Sequence, residues 1–213
     1  MLPRIRLMAI VAYAAGLWAL LLLIAGTGVP QGFFAPFSKV LAGIVLILVV
    51  FDRWAWRWPL VNAFIAGTPV LAGTWAGTLV SGWSDPDTGA KADPKDVFLA
   101  VRQTHSSLEL RLLSNESESE SLSASIVPMS SDMWCVVSVY RNTPRIGLRE
   151  SSPIHHGALL LTVYGSPPTG LRGTYWTDRD TNGEMRFERC TAALACTYDE
   201  AVACSDASTQ SRP

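Results

Sequence analysis

Apolar and polar residues divide the chain into two regions with different periodicities. Residues 7–26 form a run of 20 residues without a charge, and a helix of that length spans roughly 30 Å, the hydrocarbon thickness of a bilayer. A second apolar run, residues 40–51, reaches spanning length when extended to residues 36–54. Short alternating segments then replace these long runs, so we expect two transmembrane helices followed by a β-rich domain. The predicted parts are a transmembrane hairpin over residues 1–58, a linker over 59–72, a β-rich domain over 73–190 and a mobile C-terminal tail over 191–213.

The basic residues around the apolar runs predict their orientation. Arg4 and Arg6 precede the first run, Arg53 and Arg57 follow the second, and residues 27–38 carry no charge. Because basic residues favour the cytoplasmic side, both termini are predicted to be cytoplasmic. Two alternatives stay open. The first run could be a signal peptide, although it exceeds the usual 7–15 apolar residues, and the second could be a buried helix.

The C-terminal region contains eight short β-rich segments separated by turn residues. Antiparallel strands this short leave no room for crossover helices and predict a small closed barrel, with an open sandwich as the alternative. Gly73 and Trp75 open the first segment in an arrangement similar to that of lipocalins, in which a tryptophan closes one barrel end. The fold class is therefore a membrane α-hairpin plus an all-β, eight-stranded, lipocalin-like barrel. The predicted strands are residues 73–83, 97–104, 107–113, 118–127, 133–141, 157–164, 171–177 and 184–189.

The fourth segment carries a stripe of serines. Serine occupies every second position from Ser117 to Ser125, so strand alternation would place five hydroxyls on one face. If these hydroxyls point inward, they line a lumen that suits a polar ligand. If they point outward, they form an ordinary solvated surface, which the residue types by themselves favour.

The composition excludes several classes of protein. Charged residues make up 16% of the chain and hydrophobic residues 49%, against roughly 25% charged residues in a soluble domain. Residues 61–213 hold twelve basic and seventeen acidic residues, and a net acidic domain argues against DNA or RNA as a partner. No motif of a catalytic nucleophile or a phosphate-cradling loop occurs, so no enzyme is indicated. The four cysteines contain no C-x-x-C pair, which argues against a zinc site and predicts free thiols.

Residues 178–183 match the first half of a calcium-binding loop. Arg186 and Arg189 occupy the ninth and twelfth positions of that loop, where oxygen ligands are required. A β-hairpin explains the segment better, with Asn182 and Gly183 supplying the positive φ angles of its turn. We therefore predict no metal site.

Arginine and aromatic residues are the candidates for ligand chemistry. Arginine supplies fourteen of the seventeen basic residues and suits bidentate contacts to phosphate. Arg145 lies between the fifth and sixth predicted strands, and Arg179 follows the seventh. Tyr175 and Trp176 alternate faces, so one ring can face the lumen and stack on a base, and His156 is a candidate donor near a mouth. The alternative is that these arginines pair with neighbouring acidic residues on the surface.

The whole pattern resembles the SMODS-associated two-transmembrane, β-strand-rich effectors of bacterial CBASS (cyclic-oligonucleotide-based antiphage signalling). The resemblance covers about residues 4–189 and leaves the tail without an account. It rests on the predicted hairpin, the serine stripe and, in chain order, Gly73-Thr74-Trp75-Ala76-Gly77, Gln103-Thr104, Tyr140-Arg141-Asn142-Thr143-Pro144, His156-Gly157, and Gly173-Thr174-Tyr175-Trp176-Thr177 followed by Arg179, Thr181 and Gly183.

This resemblance implies a membrane-anchored effector that is not an enzyme and has no cofactor. A cGAS-like nucleotidyltransferase would make a cyclic dinucleotide, and the cytosolic barrel would bind it. Binding would drive homo-oligomerisation, and the helices would then disrupt the lipids of the bacterial inner membrane. The implied ligand-binding residues are Ser119, Ser121, Tyr140, Arg145, His156, Tyr175, Thr177, Arg179 and Thr181.

Two other functions stay open at this point. One is a membrane-tethered, lipocalin-like carrier of a lipid, and the other is a structural envelope protein without a ligand. The polarity of the lumen separates the carrier from the nucleotide receptor, because an all-aliphatic lumen favours a lipid.

Overall fold

The computed structural model describes Gly16 and residues 31–84, 88–130 and 133–210. The chain divides after Ala66 into two compact units, and the first unit also includes Thr104–Ser106. The first predicted transmembrane run, residues 7–26, lies outside the described residues except for Gly16.

Helices form most of the first unit. Helix α1 comprises Gln31–Arg53 and contains almost all of the second predicted run, residues 36–54. A 3-10 turn at Ala55–Arg57, a short helix α2 at Pro59–Val61 and a π turn at Asn62–Ala66 follow, so the predicted linker begins as helical turns. Within the described part of the chain, no helix combines the length and the apolar composition that crossing a membrane requires.

Asp52 is a buried polar residue of the first unit and is 8% exposed. Its Oδ1 atom accepts the N–H of Ser106 at 3.0 Å and the hydroxyl of Thr104 at 3.4 Å. The His105 ring packs edge-on against Trp56 with a centroid separation of 6.0 Å. Because a buried carboxylate is costly unless donors satisfy it, these contacts stabilise the C-terminal end of α1.

Eight antiparallel strands form a closed barrel in which each strand pairs with its sequence neighbours and β8 pairs with β1. This confirms the predicted barrel and excludes the open sandwich. The observed strands overlap all eight predicted segments. They are β1 (Gly73–Ser81), β2 (Lys95–Gln103), β3 (Leu108–Ser114), β4 (Ser117–Ser130), β5 (Met133–Pro144), β6 (His155–Tyr164), β7 (Gly170–Thr177) and β8 (Asn182–Thr191).

Large apolar side chains fill one end of the barrel, which we call the closed end. Trp75 and Leu71 are both 0% exposed, and Trp75 Nε1 donates to the Leu71 carbonyl at 2.8 Å. Phe187, Leu99 and Leu161 belong to the same buried cluster. Trp75 therefore closes one barrel end, as the similarity to lipocalins implies, and each such side chain stabilises the fold by about 1.5–3 kcal/mol through burial.

The C-terminal tail contains helix α3, Tyr198–Gln210, an element that the sequence does not predict. Ala201 on this helix is 0% exposed and belongs to a second apolar cluster with Phe98 and Leu113. The rings of Phe98 and Tyr198 meet edge-on with centroids 5.6 Å apart. Phe98 and Leu113 point outward from β2 and β3, so the tail covers this part of the outer surface of the barrel.

The three cysteines whose side chains are described are free thiols. Cys135 is buried in β5, whereas Cys196 and Cys204 belong to the tail. Burial raises the pKa of the Cys135 thiol, which leaves little reactive thiolate at neutral pH.

Candidate ligand-binding site

The barrel end opposite Gly73 opens into a cavity of about 430 Å³ with both polar and apolar lining residues, which we call the mouth. It lies where β1, β3, β5 and β7 end and where the strands that follow them begin. The structure brings most of the predicted ligand-binding residues together there. Those that line the mouth are Ser119, Tyr140, Tyr175, Thr177, Arg179 and Thr181.

A β-bulge divides the serine stripe of β4 between two faces. The register with β5 shifts between Ser121 and Ser123, which leaves Leu122 as an extra residue. One inserted residue reverses the alternation of side chains along a strand. Ser119 therefore points into the mouth and is 5% exposed, whereas Ser123 and Ser125 are exposed. The prediction that all five serines share a face is wrong beyond Ser121.

Asn142 positions two of the inward hydroxyls. Its Nδ2 donates to Ser117 Oγ at 3.0 Å and to Ser119 Oγ at 2.8 Å. Because the Ser119 oxygen accepts here, its hydroxyl proton can be donated to a ligand. The sequence pattern does not indicate Asn142 as a site residue, although it follows Tyr140 by two residues and so shares its face of β5.

The two mouth tyrosines lie against glycines. A Cβ atom on Gly157 would approach the Tyr140 hydroxyl oxygen to 2.5 Å, and one on Gly183 would approach the Tyr175 ring to 2.6 Å. These glycines therefore allow both rings to lie close to the strand backbone. Burial raises the pKa of the Tyr140 hydroxyl above its ordinary value of 10.0, and nearby Tyr175 and Asp178 add to the shift. Tyr140 consequently stays protonated and can donate a hydrogen bond at neutral pH.

Arg179 presents a guanidinium at the rim of the mouth. Its Nη1 donates to Ser152 Oγ at 2.9 Å and its Nη2 to the Ser151 carbonyl at 3.4 Å. Within the described residues, no carboxylate forms an ion pair with this guanidinium. Asp178 instead accepts the backbone N–H of His156 at 3.1 Å and lies 3.5 Å from its ring nitrogen. The alternative in which Arg179 pairs with its acidic neighbours is therefore not what the structure shows.

The hairpin between β7 and β8 holds Arg179 in place. The hydroxyls of Thr177 and Thr181 lie 2.6 Å apart, and Arg179 N donates to Thr177 Oγ1 at 3.2 Å. The predicted hairpin is confirmed, but its predicted turn residues are wrong. Asp180 has the positive φ of 56°, whereas residues 182–183 already belong to β8.

Lys95 is a second cation of the mouth that the sequence pattern does not indicate. Its Nζ lies 2.5 Å from Glu116 Oε2, and the two side chains are 46% and 50% exposed. Glu116 therefore offsets the charge of Lys95, in contrast to Arg179. The second strand was predicted from residue 97, two residues too late, so Lys95 was not recognised as sharing the inward face of Val97.

Three predicted site residues lie outside the mouth. Ser121 Oγ accepts the N–H of Leu110 at 2.9 Å, so this hydroxyl completes the backbone bonding of β3. Arg145 lines a separate depression on the outer surface. His156 lies beside the mouth and is partly exposed, whereas its neighbour His155 lines the cavity.

The mouth can bind a polar, anionic ligand with aromatic parts. It combines the guanidinium of Arg179, which forms no ion pair with a described carboxylate, with several hydroxyl donors and two tyrosine rings. Within the described residues, no group of three or more histidines, cysteines or acidic residues is arranged to hold a metal ion.

Comparison with known proteins identifies the domain. A family model described as Cap15, cyclic dinucleotide receptor domain, matches residues 66–189. CD-NTase-associated protein 15 of Staphylococcus schleiferi is 24% identical over 185 residues, which cover 86% of this chain and 96% of that protein. These matches support the predicted kinship with CBASS effectors, while the two-transmembrane subtype stays a prediction. Because the family match covers more than half of the chain and the whole lining of the mouth, this chain belongs to the Cap15 cyclic dinucleotide receptor domain family.

Proposed function

We propose that this protein is a CBASS effector whose barrel binds a cyclic dinucleotide in the mouth. The description of the matched family names a cyclic dinucleotide receptor domain, and the matched relative is named as associated with a CD-NTase. The observation that carries the proposal is the Arg179 guanidinium, which Ser151 and Ser152 hold at the mouth.

The chemistry of the ligand fits this arrangement. A cyclic dinucleotide carries two phosphates and two bases, and the acidic domain repels it at long range. Binding therefore depends on local cations and donors, for which charge-assisted bonds contribute about 1.5–3 kcal/mol each. Arg179 supplies a phosphate contact, while Ser119, Tyr140 and Tyr175 supply donors and ring faces for the bases.

The lipid carrier is the weaker candidate. A lipid tail needs an empty apolar space, and the apolar part of this lumen is occupied by the side chains of the closed end. The remaining cavity has apolar lining residues such as Leu79 and Met185, but it also carries several hydroxyls, Lys95 and Arg179, whose desolvation by an alkyl chain is unfavourable.

We also propose that the effector is anchored in the bacterial inner membrane with both termini in the cytoplasm. The uncharged run at residues 7–26 and its flanking arginines support this part of the proposal. A cGAS-like nucleotidyltransferase would supply the ligand, and ligand binding would lead to self-association and membrane disruption. The protein would need neither a catalytic residue nor a cofactor for this role.

The decisive experiment fills the mouth without changing the outer surface. Ser119→Leu places a larger apolar side chain in the cavity next to Asn142, and we expect it to weaken cyclic dinucleotide binding about 100-fold or more. Titration calorimetry of the full-length protein in detergent against cyclic di-AMP, cyclic di-GMP and cyclic AMP–GMP measures this effect.

Thr78→Leu is the matched control, because Thr78 is exposed on the outer face of β1. It should bind like the parent. If the parent binds none of the three probes, or if Ser119→Leu binds as tightly as the parent, the mouth is not the receptor site.

A further inference from the structure

Four strand connections surround the mouth, and each of its two cations bridges two of them. The connections join β1 to β2, β3 to β4, β5 to β6 and β7 to β8, and they follow this order around the closed barrel. Arg179 in the β7–β8 connection bonds to Ser152 in the β5–β6 connection. Lys95 at the start of β2 pairs with Glu116 in the β3–β4 connection. The two cations therefore lie on opposite halves of the rim.

Glu116 places a carboxylate in a cavity that otherwise suits an anion. Among the described residues that line the mouth, no other is acidic. Its backbone is held in place, because its N–H donates to Ser114 Oγ at 3.2 Å and its carbonyl accepts the N–H of Arg145 at 2.9 Å. Its side chain is 50% exposed, so the carboxylate can leave Lys95 without a movement of the strands. Since an exposed ion pair contributes little free energy, a phosphate can replace this carboxylate on Lys95.

Trp83 lies on the same half of the rim as Lys95. It lines the mouth two residues after the end of β1 and is 48% exposed. Tyr140 on β5 and Tyr175 on β7 also line the mouth but are 6% and 8% exposed. Trp83 therefore offers the larger accessible ring. An aromatic ring beside a cation is the combination that binds a nucleotide through base stacking and charge.

We propose that Lys95 and Trp83 form a second nucleotide subsite, in which Glu116 holds the place of a phosphate until the ligand displaces it. This inference rests on the proposed function and deepens it, because it gives each half of the ligand its own cation. A cyclic dinucleotide has its two phosphates on opposite sides of its macrocycle, which matches the two halves of the rim. Arg179 binds one phosphate, and the other then reaches Lys95 at a high effective concentration.

The ion pair makes the mouth selective for ligands with two phosphates. A free phosphate or a mononucleotide at Lys95 competes with Glu116, whose carboxylate is tethered to the protein and so has a high local concentration. A cyclic dinucleotide overcomes this competition because its first phosphate, bound at Arg179, tethers the second. Glu116 thus excludes single phosphates from the second subsite without closing it to the ligand.

Removing the charge of Glu116 tests the competition. Glu116→Gln keeps the size of the side chain and frees Lys95 for phosphate, so we expect it to bind its cyclic dinucleotide about 5-fold more tightly than the parent. Glu118→Gln is the matched control, because it removes the same charge two residues away, from a carboxylate that pairs with Arg111 and lines the outer depression.

Titration calorimetry of the full-length variants in detergent, against the three cyclic dinucleotides named above, measures both affinities. Glu118→Gln should bind like the parent. Equal gains in the two variants would show a long-range effect of net charge and would overturn the inference. Parent affinity in Glu116→Gln would overturn it as well.

Removing the cation gives the opposite effect. Lys95→Gln should weaken cyclic dinucleotide binding about 10-fold or more, because a charge-assisted contact is lost while Glu116 stays in the cavity. Lys91→Gln is the control, since Lys91 is exposed in the same β1–β2 connection and does not line the mouth. It should bind like the parent. Parent-like binding by Lys95→Gln would contradict the second subsite.

The ring is tested separately from the charges. Trp83→Ala should weaken binding about 10-fold through the loss of base stacking, and Trp83→Phe should recover part of the affinity. Trp176→Ala removes a tryptophan of nearly equal exposure, 49%, from the outer face of β7 and should bind like the parent. Equal affinities of Trp83→Ala and the parent would contradict the stacking.

Binding by the parent separates this inference from the proposed function. If the parent and Glu116→Gln bind none of the three cyclic dinucleotides, the receptor function fails and the second subsite fails with it. If the parent binds one of them and Glu116→Gln, Lys95→Gln and Trp83→Ala all bind it equally well, the receptor function stands and the second subsite fails.

Discussion

The closed end and the mouth are built by the same eight strands but differ in what fills them. At the closed end, the buried side chains of Trp75 and Phe187 exclude water and contribute few polar atoms to the lumen. At the mouth, Asn142, Ser119 and Arg179 leave polar atoms directed at an open cavity. Packing at one end thus stabilises the barrel, which allows the other end to keep polar groups that are suited to binding.

The strongest test of this contrast removes the tryptophan of the closed end. Trp75 is 0% exposed, so Trp75→Ala should lower the free energy of unfolding by about 3–5 kcal/mol. Denaturant titration measures this loss. The fraction of the variant that stays folded should bind its ligand with the parent affinity, because Trp75 does not line the mouth.

Trp176→Ala is the matched control, since this tryptophan is 49% exposed on the outer face of β7. It should change stability by about 0.5 kcal/mol or less. If both variants lost a similar amount of unfolding free energy, burial at the closed end would not be what stabilises the barrel.

The second test removes the cation of the mouth. Arg179→Ala should weaken cyclic dinucleotide binding about 10- to 100-fold, since a charge-assisted contact is lost. Arg179→Lys should recover only part of the affinity, because an ammonium cannot form a bidentate contact. Titration calorimetry at two salt concentrations measures both, and unfolding stability should stay within about 0.5 kcal/mol.

Arg172→Ala is the control for the arginine, because Arg172 lies on the outer face of β7 near the Tyr164 ring. Its affinity should equal that of the parent. Parent-like binding by Arg179→Ala would mean that the guanidinium serves only its contacts with Ser151 and Ser152.

The smallest expected effect comes from a mouth residue that also contributes to stability. The folded pKa of Tyr140 is raised above 10.0, first of all by burial. Its contribution to stability is therefore complete below pH 10 and is lost as the pH rises further, because the unfolded chain releases this proton first. Above pH 10, the free energy of unfolding should therefore fall with a slope that approaches about 1.4 kcal/mol per pH unit.

Tyr140→Phe should remove this slope while other groups titrate as before. Denaturant titrations of the parent and the variant from pH 9 to 11 measure the difference. Parallel curves would show that the Tyr140 hydroxyl is not shielded from water by the barrel.

Strand alternation predicted the barrel because it is a local property that burial on one face enforces. It also placed Tyr175 and Trp176 on opposite faces of the strand, which the structure confirms with Tyr175 buried and Trp176 49% exposed. This prediction from alternation failed where one inserted residue reverses which face of the strand the following side chains occupy. The bulge at Leu122 reverses the faces of β4, and no residue type in a serine-rich run marks such an insertion.

The rest of the site depends on contacts between distant segments. Arg179 is held by Ser152 from the β5–β6 connection, and Lys95 by Glu116. A sequence shows these residues but not which of them meet. Helix α3 was missed for a similar reason, because its short apolar face acquires meaning only against Phe98 and Leu113.

The pairing of β8 with β1 has a consequence for biosynthesis. Gly77 pairs with Phe187, so the first strand to leave the ribosome waits for the last. At about 5–20 residues per second, this delay lasts roughly 5–20 s. A nascent chain that stalls before Asn182 therefore holds an open sheet in which β1 and β7 each have one unpaired edge. We expect such chains to depend on chaperones until translation is complete.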